Sequence, residues 1–259
     1  MWLYLLFISI VLLPVIWKSS SLGKKWIKFS IYIAFSFAVT LLIPIWLFRP
    51  KDYRNALLPS AGFRGLCKIL GLKYSIEGQE HIVRNSGSVV LINHQSILDL
   101  IVLSCLWPIL PKCTVISKKE ILYYVPIGLS FWLCGTIFID RSKSSNAQNA
   151  VNKTGEIIRK TKSRVLIFPE GTRNDGPKLL PFKKGAFHLA VASKCPIQPV
   201  AVSRFTFLGP NKFEEGEIKI RILPAIPTNN CTIEDIPRLI EETYKTMSDN
   251  VDQLSTTPN

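Results

Sequence analysis

His94 and Asp99 sit five positions apart in Asn93-His94-Gln95-Ser96-Ile97-Leu98-Asp99 and are the pair whose chemistry could move a proton. A carboxylate that accepts one imidazole N–H fixes the tautomer and leaves the other ring nitrogen free to take a proton from a hydroxyl. On a straight helix, residues five apart face different sides, so the two meet only if His94 lies in a turn and Asp99 in the first turn of a helix. The surrounding pattern offers that junction. A β-branched run from Val89 to Ile92 feeds a polar break, and an apolar run from Ile97 to Leu106 follows. Taken alone, the same residues also suit a helix-capping histidine and a first-turn acid that complements the helix dipole. Other stretches have to decide between the two.

A second stretch with chemical potential follows the strand-like run from Arg164 to Phe168, namely Pro169-Glu170-Gly171-Thr172-Arg173. A proline and a glycine behind a buried strand make a tight turn at its carboxyl end, where α/β proteins place ligands. There the planar Arg173 guanidinium suits a pair of phosphate oxygens. Lys183, Lys184 and the start of a helix from Gly185 to Ser193 add positive potential. The alternative is a surface turn in which Glu170 and Arg173 pair with each other. Ser96 reads as a structural hydroxyl near a helix start. His81 and His188, with no matching acid partner in sequence, read as structural.

The elements that must carry these residues alternate. A helix from Leu57 to Leu70 ends at Gly71, a strand runs from Lys73 to Glu77, and after the His94 junction come strands at Thr114 to Ser117 and Gly135 to Ile139. Between the last two, the apolar stretch from Ile121 to Cys134 is short for a spanning helix and reads as a buried or interfacial one. An amphipathic helix over 149–161 turns Val151, Ile157 and Ile158 inward. Strands at Pro196 to Val202 and Glu217 to Leu223 precede a final helix with Ile236, Leu239, Ile240, Thr243 and Met247 on one face. The alternation implies an α/β domain over 56–254 with its motifs at strand ends, followed by a disordered tail over 255–259.

Ahead of that domain, residues 1–55 read as a membrane anchor of two apolar helices. The run from Trp2 to Trp17 has no charge, and the run from Phe29 to Phe48 has the length of about 20 residues that crosses a hydrocarbon core. Trp2, Trp17, Trp26 and Trp46 lie near the ends of these runs, where amphipathic rings favour the headgroup layer. The first run lacks the basic start of a secretory signal. Basic residues flank the second run on both sides, so charge gives no orientation, and Pro14 and Pro44 would allow a hairpin that dips in and returns.

The 259 residues carry a formal net charge of +14 and a pI near 9.6, with 47% hydrophobic residues and a mean hydropathy of +0.23. No long basic block, zinc spacing or recognition-helix pattern points to nucleic acid, and an anionic membrane surface with a phosphorylated ligand accounts for the charge. The six cysteines form no metal spacing and read as buried thiols in a reducing compartment. Asn152-Lys153-Thr154 and Asn230-Cys231-Thr232 match glycosylation acceptors, which matter only on a lumenal face.

Four blocks in order resemble the 1-acylglycerol-3-phosphate acyltransferase (lysophosphatidic acid acyltransferase) family in its animal microsomal form. They are Asn93 through Asp99, an HX4D motif; Lys118 through Gly135 to Arg141; Phe168 through Arg173, containing Glu-Gly-Thr-Arg; and Pro196-Ile197-Gln198-Pro199-Val200. The resemblance covers roughly residues 60–225. The resemblance implies an α/β fold with a mixed sheet flanked by helices, and an enzyme of the endoplasmic reticulum membrane with its domain facing the cytosol. It implies that His94 is the general base on the sn-2 hydroxyl of lysophosphatidate, that Asp99 orients it, and that the acyl donor is acyl-CoA, with no metal or resident cofactor. It further implies that Lys118, Arg141, Glu170, Gly171, Thr172, Arg173 and Lys183 form the site for the glycerol phosphate end. A hydrolase, a membrane-shaping scaffold, and a transferase to glycerol 3-phosphate or another lysophospholipid stay open on the residues alone.

Overall fold

The computed structural model of the chain describes residues 20–110, 112–139 and 154–256. Among them a seven-stranded sheet forms from β1 (Leu72–Glu77), β2 (Ser88–Ile92), β3 (Cys113–Lys118), β4 (Ile137–Ile139), β5 (Arg164–Ile167), β6 (Ile197–Val202) and β7 (Gly216–Ile222). The strand order is β1-β7-β6-β2-β5-β3-β4. Only the β6–β7 pair is antiparallel; the others run parallel. The sheet is therefore mixed. Because β2, β5, β3 and β4 are parallel neighbours, their carboxyl ends share one edge, and loops far apart in sequence leave the sheet side by side.

Strands β2, β5 and β6 are buried throughout, as expected for parallel strands covered on both faces. Their alternate residues serve two cores. Val90, Ile92 and Leu166 pack with α3 (Leu57–Leu70) and α4 (Asp99–Leu106), while Val89, Leu91, Val165 and Ile167 pack with α6 (Gly185–Ser193) and α7 (Ile236–Thr256). Helix α3 ends as its sequence dictates: Gly71 takes φ 70°, and its N–H caps the carbonyls of Cys67 and Lys68. Thr232 and Asp235 form a capping box ahead of α7. That helix runs to Thr256, two residues past the expected boundary, because the Ser255 hydroxyl accepts the Arg204 N–H at 2.9 Å. Residues 257–259 lie outside the described residues.

The N-terminal rod consists of α1 (Ser21–Ala38), a 3-10 turn (Val39–Leu42) and α2 (Ile43–Trp46). It is 26 residues long, holds an 18-residue stretch of mean hydropathy 2.0, and is long and apolar enough to cross a membrane. Pro44 produces no hairpin here. It sits in the first turn of α2, and the missing N–H is met by tightening the preceding turn to 3-10 geometry, so the rod continues. The first apolar run, 2–17, lies outside the described residues.

Two local readings change. The stretch 121–134 is not one helix: a 3-10 turn (Lys119–Tyr123) stops before Pro126, and α5 (Ile127–Leu133) begins after it. A Cβ at Gly128 would stand 2.3 Å from the carbonyls of Ile121 and Leu122, so glycine permits that fold-back. In the helical residues 154–161, Ile158 is fully buried while Ile157 is 40% exposed, because neighbours on a helix point about 100° apart. Val151 lies outside the described residues.

Candidate active site

The strand-to-helix junction brings the dyad together. β2 ends at Ile92, Asp99 opens α4, and His94 Nδ1 lies 2.6 Å from Asp99 Oδ2. The same carboxylate oxygen accepts the N–H groups of Gln95 at 2.7 Å and Ser96 at 3.0 Å. Asp99 is 3% exposed and thus acts as the hub of the turn. With an ionised Asp99 the chemistry assigns the proton to Nδ1, which leaves the lone pair on Nε2. The His94 side chain is 20% exposed and stacks on Phe168 with centroids 4.0 Å apart. A hydroxyl presented at Nε2 can therefore lose its proton to a ring whose tautomer and tilt are both held.

Two side chains that sequence reasoning passed over fix the end of β2. Asn93 pairs with Val202 like a backbone unit, donating to its carbonyl at 3.0 Å and accepting its N–H at 2.8 Å. Gln95 donates to the Ser203 carbonyl at 2.9 Å. The available signal was two amide residues flanking a histidine just past a buried strand, where unpaired backbone groups need partners.

The second motif leaves β5, the parallel neighbour of β2, at the same edge. Glu170 is buried at 2% exposure, and its carboxylate is occupied within the protein. Oε1 accepts the His94 N–H at 2.8 Å, and Oε2 accepts the Leu180 N–H at 2.9 Å and the Asn174 side-chain amide at 3.5 Å. The Asn174 N–H returns to the His94 carbonyl at 2.9 Å. Glu170 thus braces the His94 turn instead of facing open surface. Burial pulls the Arg204 guanidinium below its ordinary value, and the charges of Glu170 and Asp252 oppose that shift.

The remaining candidates spread along the edge. Gly171 adopts φ 72°, and a Cβ there would meet Lys183 Cδ, Cε and Nζ at 2.9 Å, so the lysine stem crosses the turn directly over the glycine. Thr172 and Arg173 are exposed on that turn. Lys118 is exposed at the carboxyl end of β3, two strands from β2. Arg141 lies outside the described residues. Hence His94, Asp99, Glu170, Gly171 and Lys183 form one cluster, with Arg173 and Lys118 as exposed cations at the same sheet edge.

Other groups stand apart from this chemistry. All six cysteines are buried and free. Burial pushes the Cys67 thiol up to about 11 and those of Cys105 and Cys134 up to about 12, which suppresses the reactive thiolate. His81 does have an acid neighbour, Glu80 at 3.6 Å, but both are exposed and away from the dyad.

Comparison with known proteins adds four findings. Residues 73–203, which include every clustered residue above, match the Acyltransferase family model. The chain is 34% identical to human 1-acyl-sn-glycerol-3-phosphate acyltransferase alpha over 250 residues, 95% of this chain and 87% of that protein. It is 39% identical to the 1-acyl-sn-glycerol-3-phosphate acyltransferase of Saccharomyces cerevisiae over 195 residues, 73% of this chain and 63% of that one. The fold superposes on the crystal structure of the 1-acyl-sn-glycerophosphate (LPA) acyltransferase PlsC from Thermotoga maritima with a TM-score of 0.68 and 18% identity, over 92% of this chain and 99% of that one.

Proposed function

Because the chain belongs to the acyltransferase family that contains the 1-acyl-sn-glycerol-3-phosphate acyltransferases, we propose that it moves a fatty acyl group from acyl-CoA to the sn-2 hydroxyl of 1-acylglycerol 3-phosphate, forming phosphatidic acid. The observation that carries this reading is the dyad. His94 presents a free Nε2 at the same edge as the exposed Arg173, so one small molecule with a hydroxyl near a phosphate can reach both.

The alcohol is a poor nucleophile at neutral pH, so His94 Nε2 removes its proton as the oxygen attacks the thioester carbonyl. Asp99 carries the imidazolium charge that forms. Collapse of the tetrahedral adduct expels the CoA thiolate, which takes the proton back from His94 and leaves as the free thiol. A thioester is already activated, and the suppressed thiols argue against a covalent cysteine step. Arg173, Lys183 and Lys118, joined by Arg141, neutralise the acceptor phosphate.

Membrane attachment fits both the substrate and the surface. Leu41, Ile45, Leu47 and Phe48 of the N-terminal rod and its exit are 59–88% exposed, an area of apolar side chain that needs a non-aqueous partner. Tyr123, Tyr124 and Val125 are 67–73% exposed just ahead of α5, which packs against Trp46 through Leu133. The membrane is that of the endoplasmic reticulum, with the domain on the cytosolic side where acyl-CoA is made.

Replacing His94 with alanine tests the reading. The His94→Ala protein folds and stays with membranes, while transfer falls by roughly two orders of magnitude or more. Near-normal turnover by folded His94→Ala protein would exclude His94 as the base.

A further inference from the structure

Tyr32 lies in the middle of the apolar helix α1, where lipid contact alone would ask for no hydroxyl. It is 1% exposed, with its ring against Phe63 at 5.8 Å and its hydroxyl donating to the Ile97 carbonyl at 2.7 Å. Ile97 is the third residue of the four between His94 and Asp99. It follows Ser96, whose N–H holds Asp99 Oδ2. The segment has no ladder to fix it: β2 stops at Ile92, α4 starts at Asp99, and the Ile101 N–H bonds the Leu98 carbonyl at 2.8 Å instead of reaching back to Ile97.

The rest of α1 is locked to the domain as well. Lys25 donates to the carbonyls of Gly209 at 3.0 Å and Pro210 at 2.6 Å, Lys28 donates to the Glu214 carbonyl at 3.1 Å, and Phe29 meets Phe213 edge-on at 5.3 Å. This docking fixes where the Tyr32 hydroxyl stands.

We propose that Tyr32 is a positioning residue for the acyl-transfer reaction. Its hydroxyl, delivered by the apolar helix, holds the backbone of the turn between His94 and Asp99 and thereby sets the aim of the imidazole. The helix is then part of the catalytic framework as well as an anchor. The inference rests on the assignment of His94 and Asp99 above. A phenylalanine fills the same volume beside Phe63, so Tyr32→Phe removes only the hydrogen bond to Ile97.

The test uses the full chain in phospholipid vesicles, with acyl transfer from acyl-CoA to lysophosphatidate normalised to folded enzyme. Loss of one neutral hydrogen bond, worth about 1 kcal/mol, corresponds to about a fivefold change. Tyr32→Phe is expected to lower kcat about fivefold and the thermal midpoint by no more than about 2–4 °C, with both KM values and vesicle co-sedimentation unchanged. An unchanged kcat overturns the proposal. So does a loss that tracks the folded fraction alone, or a rise confined to KM, which would make Tyr32 a substrate contact. His94→Ala assayed in parallel separates the two levels: an active His94→Ala protein removes the dyad itself, whereas an inactive one beside a fully active Tyr32→Phe protein removes only the role given to Tyr32.

Discussion

Glu170→Gln is the substitution for which the structure makes the sharpest statement. The side chain keeps its shape, but one carboxylate oxygen becomes an NH₂ group. In the native protein the two oxygens are claimed by opposed backbone donors, the His94 N–H at 2.8 Å and the Leu180 N–H at 2.9 Å. Whichever way the amide turns, one of these meets a donor instead of an acceptor. The cost is a charge-assisted hydrogen bond plus a buried N–H without a partner, about 2–4 kcal/mol in total. For a domain of this size that lowers the thermal midpoint by about 5–12 °C. Removing the charge also takes from Arg204 one of the two carboxylates that offset its burial. Since His94 is one of the two partners, kcat falls by at least about tenfold as the base loses its aim. Scanning fluorimetry and initial rates against both substrates on the same preparation read out the result. An unchanged midpoint with a rise only in the lysophosphatidate KM would refute the bracing role and return Glu170 to the acceptor site that family resemblance suggests.

Arg173→Ala is expected to raise the KM for lysophosphatidate about 10- to 100-fold and leave that for acyl-CoA unchanged, since one charge-assisted contact to phosphate is lost; a change confined to acyl-CoA would move Arg173 to the CoA phosphates. Asn230 is exposed, so on a lumenal face its acceptor pattern would be used, as would that at Asn152. Both are expected to stay unmodified in microsomes. A mobility shift on endoglycosidase treatment, traced to either asparagine, would reverse the proposed orientation.

Residue order along the chain was enough to specify most of what depends on near neighbours. The cap at Gly71, the capping box of Thr232 and Asp235, the helix Gly185–Ser193 and the meeting of His94 with Asp99 all follow from periodicity, caps and a strand-to-helix turn. Such features are settled within a few residues, where side-chain direction follows from local dihedrals. The apolar stretch 121–134 was harder even locally, because hydropathy there is continuous and only the close approach of Gly128 to two carbonyls shows where the chain doubles back.

Tertiary structure decided what each motif residue touches. Glu170 and Arg173 sit three positions apart in one turn, yet one is buried under the His94 backbone and the other is open to solvent. That division arises because β2 and β5, whose exits are 76 residues apart, are adjacent parallel strands. Asn93 was unremarkable until β6 arrived with Val202, and Tyr32 resembled any other residue of an apolar helix until its hydroxyl found Ile97 across 65 positions. Strand order and helix docking are set by the joint burial of two core faces, a property of the whole chain that no single window contains.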